Sequence, residues 1–357
     1  MAIALGIIGA GNIFPAYLRT LKRSRLFRIV GVADAVPAAA QKRAEEFGLP
    51  AMTVEQLLAS DASIILNLTP PQAHHATGLQ VLKAGKHFFT EKPLAATFAQ
   101  GQELVALAKR KKLRIGCAPD TFLGAGAQTV RALVDAGTVG AIRYGTAQFM
   151  GHGPDHWHPN PAFFYQPGAG PMFDMGVYYL THLVNHLGPI ASVRGTAHTA
   201  HTTRTVPLGE RKGQKIAVDT PTHIVSQLSF ASGAEVVLTC SFDVWKHSHA
   251  PIELYGEDGS ILGHDPNQFG GTVKFARQLD DWTRSADKRP YTTNARGIGL
   301  IDMAQAIAAD RPHRCSEALA LHVLEVMERA LDAARTGKPQ PMTTTCERPA
   351  PLAQKLF

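Results

Sequence analysis

Several features that would narrow the chemistry at a glance are missing from this 357-residue chain. It has only four cysteines, Cys117, Cys240, Cys315 and Cys346, and they lie far apart. No CxxC spacing occurs, which argues against a zinc site or a redox pair and for reduced thiols in a cytoplasmic protein. No run of about 18 apolar residues is present, so no membrane span is expected. The start "MAIALGIIGAG" lacks a preceding basic region and runs directly into glycines, so it reads as a first strand and not as a signal peptide. Basic residues are in excess, with a formal charge of +7, but they are dispersed. Their densest run, Lys109 to Lys112, closes an amphipathic helix, where cations complement the helix dipole. No nucleic-acid motif accompanies the charge, and no nucleic-acid partner is expected. Neither a Ser-His-Asp arrangement nor a cysteine-nucleophile motif stands out.

What is present is a chain able to bury a substantial core, 45% hydrophobic and 18% charged, and long enough for two domains. In its first third, short apolar runs alternate with helical patterns. Strands are predicted at Ile3 to Ile8, Arg28 to Ala33, Ser63 to Leu68, His87 to Thr90 and Leu113 to Cys117. Helices are predicted near Asn12 to Arg23, Pro37 to Phe47, Gln72 to Ala84 and Phe98 to Lys111. Strands that are apolar without alternation belong to a parallel sheet covered on both faces, so residues 1–120 read as a doubly wound domain. After Pro119 the pattern changes. Helices near Ala125 to Ala136 and Phe173 to Leu187 flank a loop rich in Gly, Pro, His and aromatics. Alternating segments then follow, among them "THIVSQLSF" and "AEVVLTCSFDVW", with hairpin turns between them. Residues 121–340, which close with helices near Gly299 to Ala309 and Ser316 to Thr336, read as an α+β domain on a mostly antiparallel sheet. Residues 341–357 read as an extended tail.

Gly9 and Gly11 in "GIIGAGNIF" sit where the first strand turns into a helix. Glycines there permit a tight turn and let the backbone approach a pyrophosphate at the helix N-terminus. Phe14 occupies the position of the usual third small residue. The second strand ends in Asp34, about twenty residues further on, where a carboxylate accepts hydrogen bonds from the adenosine ribose hydroxyls. Asp34 would repel a 2′-phosphate, and Ala35, Val36 and Pro37 supply no arginine. NAD is therefore expected in preference to NADP.

"GAGNI", "NLTPPQAHHATGLQVLKAGKHFFTEKPLA" and "GAGPMFDMGVYYLTHLVNHLG" together resemble the glucose-fructose oxidoreductase, inositol dehydrogenase and MocA (Gfo/Idh/MocA) family across nearly the whole chain. The resemblance implies an α/β protein with an N-terminal Rossmann doubly wound parallel sheet and a C-terminal α+β domain on a large, mostly antiparallel sheet. It also implies pyridine-nucleotide chemistry on sugars, cyclitols and their derivatives. It assigns Gly9, Gly11, Asn12, Ile13 and Asp34 to the cofactor, with Thr69, Pro70 and His74 in the crevice beyond a strand's carboxyl end. Glu91, Lys92 and Pro93 match the family's EKP, whose lysine faces both nicotinamide and the reacting carbon. A dimer or tetramer is expected, the alternating sheet offering a face to a partner subunit.

Hydride transfer at an alcohol carbon requires the hydroxyl proton to leave as the carbonyl forms. Lys92 can stabilise the developing charge or take the proton. Asp174, Tyr178, Thr181 and His182 are spaced to share one helix face. They depart from the commoner D-x-G-x-H-x-x-D pattern, since Tyr178 replaces the histidine and Thr181 the second aspartate. Three acid/base assignments stay open: Lys92 with Tyr178, His182, or Lys92 alone with Asp174 and Tyr178 orienting hydroxyls. In the loop "GHGPDHWHPNPAFFYQPGAGP", the histidines lack a regular ligand face or an acidic cluster, so no metal is expected. Trp157, His158 and Tyr165 suit the C–H faces and hydroxyls of a sugar, and Trp245, Lys246 and His247 form a second candidate rim. The leading expectation is an NAD-dependent sugar dehydrogenase or reductase. The alternatives are a hydrolase of the same fold that uses transient oxidation to cleave glycosides, and a non-enzymatic dinucleotide or sugar sensor.

Overall fold

The structure, a computed structural model, describes residues 2–352 and 354–357. Its first part alternates strand and helix: β1 (Ile3–Ile8), α1 (Phe14–Ser24), β2 (Phe27–Ala33), α2 (Pro37–Phe47), α3 (Val54–Ala59), β3 (Ile64–Asn67), α4 (His74–Lys83), β4 (His87–Thr90), α5 (Phe98–Lys111) and β5 (Ile115–Cys117). The five strands are all parallel, in the order β2-β1-β3-β4-β5. Leu5, Ile7, Ile65, Leu66, Phe88 and Phe89 are fully buried, as a sheet covered on both faces requires. Burying each such side chain contributes about 1.5–3 kcal/mol. A parallel bridge from Val32 to Ala51 extends the edge beyond β2, and counting it as a strand gives the 3-2-1-4-5-6 order of a dinucleotide-binding sheet. The sequence reading missed both this edge and α3. The latter starts with a capping box, in which Thr53 Oγ1 accepts from Gln56 N–H and the Gln56 side chain accepts from Thr53 N–H.

The chain continues through α6 (Ala125–Asp135), β6 (Ile142–Met150), a π-helical turn (Met172–Gly176), α7 (Val177–Leu187), β7 (Ile190–His198), β8 (Thr203–Thr205), β9 (Lys215–Ala217), β10 (His223–Phe230), β11 (Glu235–Ser241), β12 (Ile252–Gly256), β13 (Gly259–Leu262), β14 (Lys274–Arg277) and β15 (Thr283–Arg284). Then come α8 (Ile298–Ala308), α9 (Glu317–Thr336) and β16 (Gln340–Pro341). Nine strands form one sheet in the order β15-β14-β13-β12-β6-β11-β10-β7-β16. Among the described residues of this sheet, only β6 and β11 pair in parallel. The small β8–β9 hairpin stands apart from it and was not anticipated. Along β10 the alternation buries Ile224, Ser226, Leu228 and Phe230 on one face. The opposite face is open at Tyr144, 63% exposed, and Val237, 39%.

The compact units are not contiguous in sequence, in contrast to the division read from the chain alone. Residues 2–123 group with 293–324 and 354–357, and residues 124–292 group with 325–352. Helix α8 thus belongs with the parallel sheet. The C-terminal tail is docked and not a separate segment. Glu325, fully buried, accepts from the N–H and hydroxyl of both Thr343 and Thr344 at 2.6–2.8 Å. Burial pushes its carboxyl up, but these four hydrogen bonds outweigh that and hold it below its ordinary range.

Within the second unit His182, His186 and His264 form a buried group, with ring centroids 6.1 Å apart for His182–His186 and 5.5 Å for His182–His264. Burial, followed by mutual repulsion for the first two, lowers all three pKa values and keeps the rings neutral. Unfolded, they would titrate near 6.5, so the unfolded chain binds more protons below that pH. Their stabilisation is present above about pH 6.5 and is lost as pH falls towards the folded values, by up to about 1.4 kcal/mol per pH unit per ring. Asp120, raised to about 6 chiefly by burial, opposes this as a single group. The thermal midpoint, followed by circular dichroism at constant ionic strength, is expected to drop from pH 7 to pH 5. A rise over that interval would contradict neutral buried imidazoles.

Candidate active site

At the end of β1 the chain turns at Gly9, whose φ of +105° and close approach to β3 both demand glycine. A Cβ there would lie 2.5 Å from the backbone carbon of Leu68. Gly11 differs: a Cβ would meet nothing within 4 Å, so the protein's own packing leaves that side open. Asn12 and Ile13 complete the turn into α1. Asp34 Oδ2 accepts from Ala10 N–H and Oδ1 from Val36 N–H, both at 2.8 Å, which fixes the carboxylate at the mouth of the turn. A cleft of about 440 Å³ adjoins it, lined by Asp34, Pro37, Met52, Thr53 and Gln56 among others. An open glycine turn at a helix N-terminus and a fixed carboxylate beside a cleft of this size fit the pyrophosphate and adenosine half of a dinucleotide.

One cation at this turn escaped the sequence reading. Arg43, from the second turn of α2, donates through Nε to Ala10 O and through Nη2 to Gly11 O, each at 3.2 Å, and pairs with Glu46. Its donors are taken up by the turn and by that carboxylate.

The carboxyl ends of β3 and β4 are knitted by side chains. Asn67, fully buried, donates to Thr90 Oγ1 at 2.9 Å and accepts from the Thr69 hydroxyl at 2.9 Å. His74, expected at the cofactor, is fully buried instead. Its Nδ1 lies 2.7 Å from Pro93 O and its Nε2 2.9 Å from Thr69 O, so both ring nitrogens face backbone carbonyls and a neutral ring donates to one of them. Burial lowers its pKa against the pull of these carbonyls. His74 therefore ties the Thr69–Pro70 segment to the Lys92–Pro93 turn, whose peptide bond is cis.

Glu91 is held from two sides: Tyr17 Oη donates to Oε1 at 2.7 Å, and Lys92 N–H donates to Oε2 at 3.0 Å. Tyr17 is fully buried on α1, and burial with the neighbouring Glu91 raises its phenol well above the usual value, so it remains a donor. Nearby in the same unit, Asp120 Oδ2 accepts from Gly297 N–H at 2.7 Å and Gly299 N–H at 3.1 Å, capping α8.

In the second unit the structure places Asp174 on the π turn, where Val177 N–H reaches back to Met172 O, and Tyr178 in the first turn of α7, 6% exposed. The continuous α-helical face expected for Asp174, Tyr178, Thr181 and His182 is thus interrupted. Thr181 spends its hydroxyl on Val177 O at 2.7 Å, and His182 is packed at 0% exposure among the histidines described above.

The aromatic loop divides in two. Tyr165, expected at the substrate, is fully buried in a small core with Val206, Ile216, Val218 and Phe242, and its hydroxyl is bonded to Asp155. Trp157 is 56% exposed and joins His158, Phe163 and Phe164 in a cluster of edge-on and tilted rings. Trp245, 79% exposed, stacks on His152 with centroids 3.2 Å apart. Arg204, its side chain 5% exposed and 5.7 Å from the Tyr165 ring centroid, pairs with Asp243, lies 3.7 Å from Asp155 and donates to Phe242 O at 3.1 Å. Thr222 holds the other oxygen of Asp243 at 2.6 Å. Among the described residues no group of three or more His, Cys, Asp or Glu side chains could hold a metal ion, and no helix is long and apolar enough to cross a membrane.

Two family profiles match the chain: an oxidoreductase family with an NAD-binding Rossmann fold over residues 3–118, and the GFO/IDH/MocA C-terminal domain over residues 127–262. A dTDP-3,4-didehydro-2,6-dideoxy-alpha-D-glucose 3-reductase from Streptomyces violaceoruber is 30% identical over 264 residues, covering 73% of this chain and 72% of the reductase. Among solved structures, the WlbA dehydrogenase from Bordetella pertussis in complex with NADH and UDP-GlcNAcA matches with a TM-score of 0.77 at 18% identity, over 96% of this chain and 99% of the other. A levoglucosan dehydrogenase in complex with NADH and L-sorbose matches with a TM-score of 0.80 at 19% identity, over 96% and 100%. At such identities the structural matches establish the fold.

Removing the Tyr17 hydroxyl leaves Glu91 Oε1 short of its buried donor. Tyr17→Phe is expected to cost about 1–3 kcal/mol of stability in urea unfolding, with a matching fall in thermal midpoint. An unchanged midpoint would mean that the hydrogen bond does not hold Glu91.

Proposed function

Because the chain belongs to the Gfo/Idh/MocA family of NAD(P)-binding oxidoreductases, we propose that it moves a hydride between a nicotinamide dinucleotide and a secondary alcohol, hemiacetal or ketone carbon of a sugar or sugar derivative. The observation that carries this reading is the Glu91-Lys92-Pro93 turn at the carboxyl end of β4, held in place by Tyr17 and His74. A lysine fixed at that edge of a parallel sheet stands where ligands bind in open α/β folds. The sugar named for the reductase relative, and the sugars bound in the two dehydrogenase structures, support the substrate class.

The dinucleotide, when bound, supplies the hydride donor or acceptor. Gly11, Asn12 and Ile13 would hold its pyrophosphate through backbone N–H groups, Gly9, whose N–H is bonded to Ala33 O, would shape the turn that lets it approach, and Asp34 would take the ribose hydroxyls. NAD is favoured over NADP, since a 2′-phosphate would face the Asp34 carboxylate while Arg43 is committed to the turn and to Glu46. Titration of the purified protein with each dinucleotide checks this, and tighter binding of NADP would overturn it.

On the protein side the chemistry is proton handling. As an alcohol carbon loses hydride, its oxygen must lose a proton, and in the reverse direction the developing alkoxide must gain one. The Lys92 nitrogen, placed at that oxygen, stabilises the charge as an ammonium or takes the proton as an amine. Tyr178 is the second proton-handling group, and Asp174 orients substrate hydroxyls. His182 leaves the scheme because its neutral ring is enclosed by other histidines and cannot meet a substrate. Trp157 and His158 remain as sugar-facing candidates, while Tyr165 belongs to the loop's own core.

NADH absorbance across a panel of aldoses, cyclitols, keto-sugars and nucleotide-linked sugars tests the reading. Lys92→Ala is expected to lower turnover by about 10²-fold or more, and Tyr178→Phe by at least about tenfold, with NAD affinity retained in both. Turnover unchanged in Lys92→Ala would sink the mechanism.

A further inference from the structure

We infer that the second unit carries a separate site for a phosphate-bearing small molecule. It lies in a cavity of about 380 Å³ formed by the start of α6, the 271–273 segment and residues 284–292. The volume is at the lower end for small-ligand pockets, enough for a diphosphate or a sugar phosphate. The inference stands apart from the redox reading, since it concerns binding within one unit.

The chemistry of the walls carries it. Arg284, Lys288 and Arg289 all line the cavity, against a single carboxylate, Asp287. That carboxylate is already bonded to Arg289 Nε at 2.7 Å. Arg284 and Lys288 have no carboxylate partner among the described residues. Like charges gathered in one concavity raise the local positive potential and so favour an anion there, and these cations have net charge to spare. Thr129 supplies a second, independent indication. It lines the same cavity, is only 5% exposed, and its hydroxyl has no protein partner among the described residues. A guanidinium, an ammonium and the hydroxyl of an otherwise buried threonine lining one space suit a phosphoryl group, with several acceptor oxygens and up to two negative charges.

The helix terminus itself is not the attraction. Ala125 N–H is taken by Tyr291 O at 3.1 Å and Gly126 N–H by Phe269 O at 2.9 Å. These bonds instead fix the wall, as does Ser285, whose N–H reaches Val273 O at 2.9 Å while its hydroxyl accepts from Asp287 N–H at 3.3 Å. Gly271 of the same wall backs onto His264: a Cβ at Gly271 would lie 2.6 Å from His264 Cβ. The His264 ring in turn meets His182 on the helix that begins with Val177 and Tyr178. The ligand is either the phosphate end of a substrate or a free phosphate compound, and the chemistry at the cavity is the same for both.

Isothermal titration of the full chain with pyrophosphate and with a hexose 1-phosphate tests the site. Saturable binding is expected, at least about tenfold weaker in the Arg284→Ala/Lys288→Ala variant, weakened to a lesser extent in Thr129→Val, and lessened by added salt. NAD affinity is expected to be unchanged in both variants. Arg284 and Lys288 are exposed, and far-UV circular dichroism checks that the variants keep the fold. A KM that rises only for phosphorylated or nucleotide-linked sugars in the double variant assigns the site to the substrate's phosphate. Lost pyrophosphate binding with every KM unchanged assigns it to a free phosphate compound. No saturable binding of either probe, or equal affinity in the double variant, overturns the inference. Absence of all sugar turnover would defeat the redox reading and leave the calorimetric result standing.

Discussion

The approach of Gly9 to the backbone of Leu68 and Thr69 governs the carboxyl edge of the parallel sheet. Any side chain at this position would drive β1 and β3 apart where their ends must interlock. With the turn closed, Gly9 N–H reaches Ala33 O and Leu68 N–H reaches Ile8 O, so three consecutive strand ends share one hydrogen-bonded margin. Asp34 is fixed to Ala10 as a result, and Asn67 hands the order on to Thr90 and to Glu91 N–H. The lysine turn is the last link of this chain of contacts, and besides its own Lys92 N–H bond to Glu91 its supports come from α1, β3 and α4.

Much of the first unit could be read from the chain because its strands are short, continuously apolar and separated by clear helical periods. β1, β2 and β4 fall within a residue of expectation. The bridge at Ala51 and the helix after it went unread because they are short, although Thr53 with Gln56 was a visible capping signal. The π turn could not have been read, since the residue pattern that predicts an α-helical face is the same whether one turn is widened or not.

Polar residues were harder. His74, Tyr165 and His182 all looked like ligands, and all are satisfied or enclosed inside the protein. Conversely Tyr17, Arg43 and Arg204 gave no signal. The partner of Tyr17 lies 74 positions away, and those of Arg204 lie 38 or more away. Sequence spacing reports neighbours along an element, whereas these side chains matter through contacts that only the tertiary fold creates. Arg204 illustrates the energetic side: a buried guanidinium is tolerable only with carboxylates and carbonyls around it, here Asp155, Asp243 and Phe242 O.

The discontinuity of the two units bears on how the molecule can be dissected. A fragment ending near Leu123 would keep every strand of the parallel sheet yet lose α8, whose Gly297 and Gly299 amides meet Asp120 and whose Met303 lies against Gly116 of β5. It would expose apolar surface and strand a buried carboxylate without its donors. The dinucleotide half therefore has no single-cut boundary, and an isolated half would have to be assembled by joining residues near 123 to residues near 293 through a new linker.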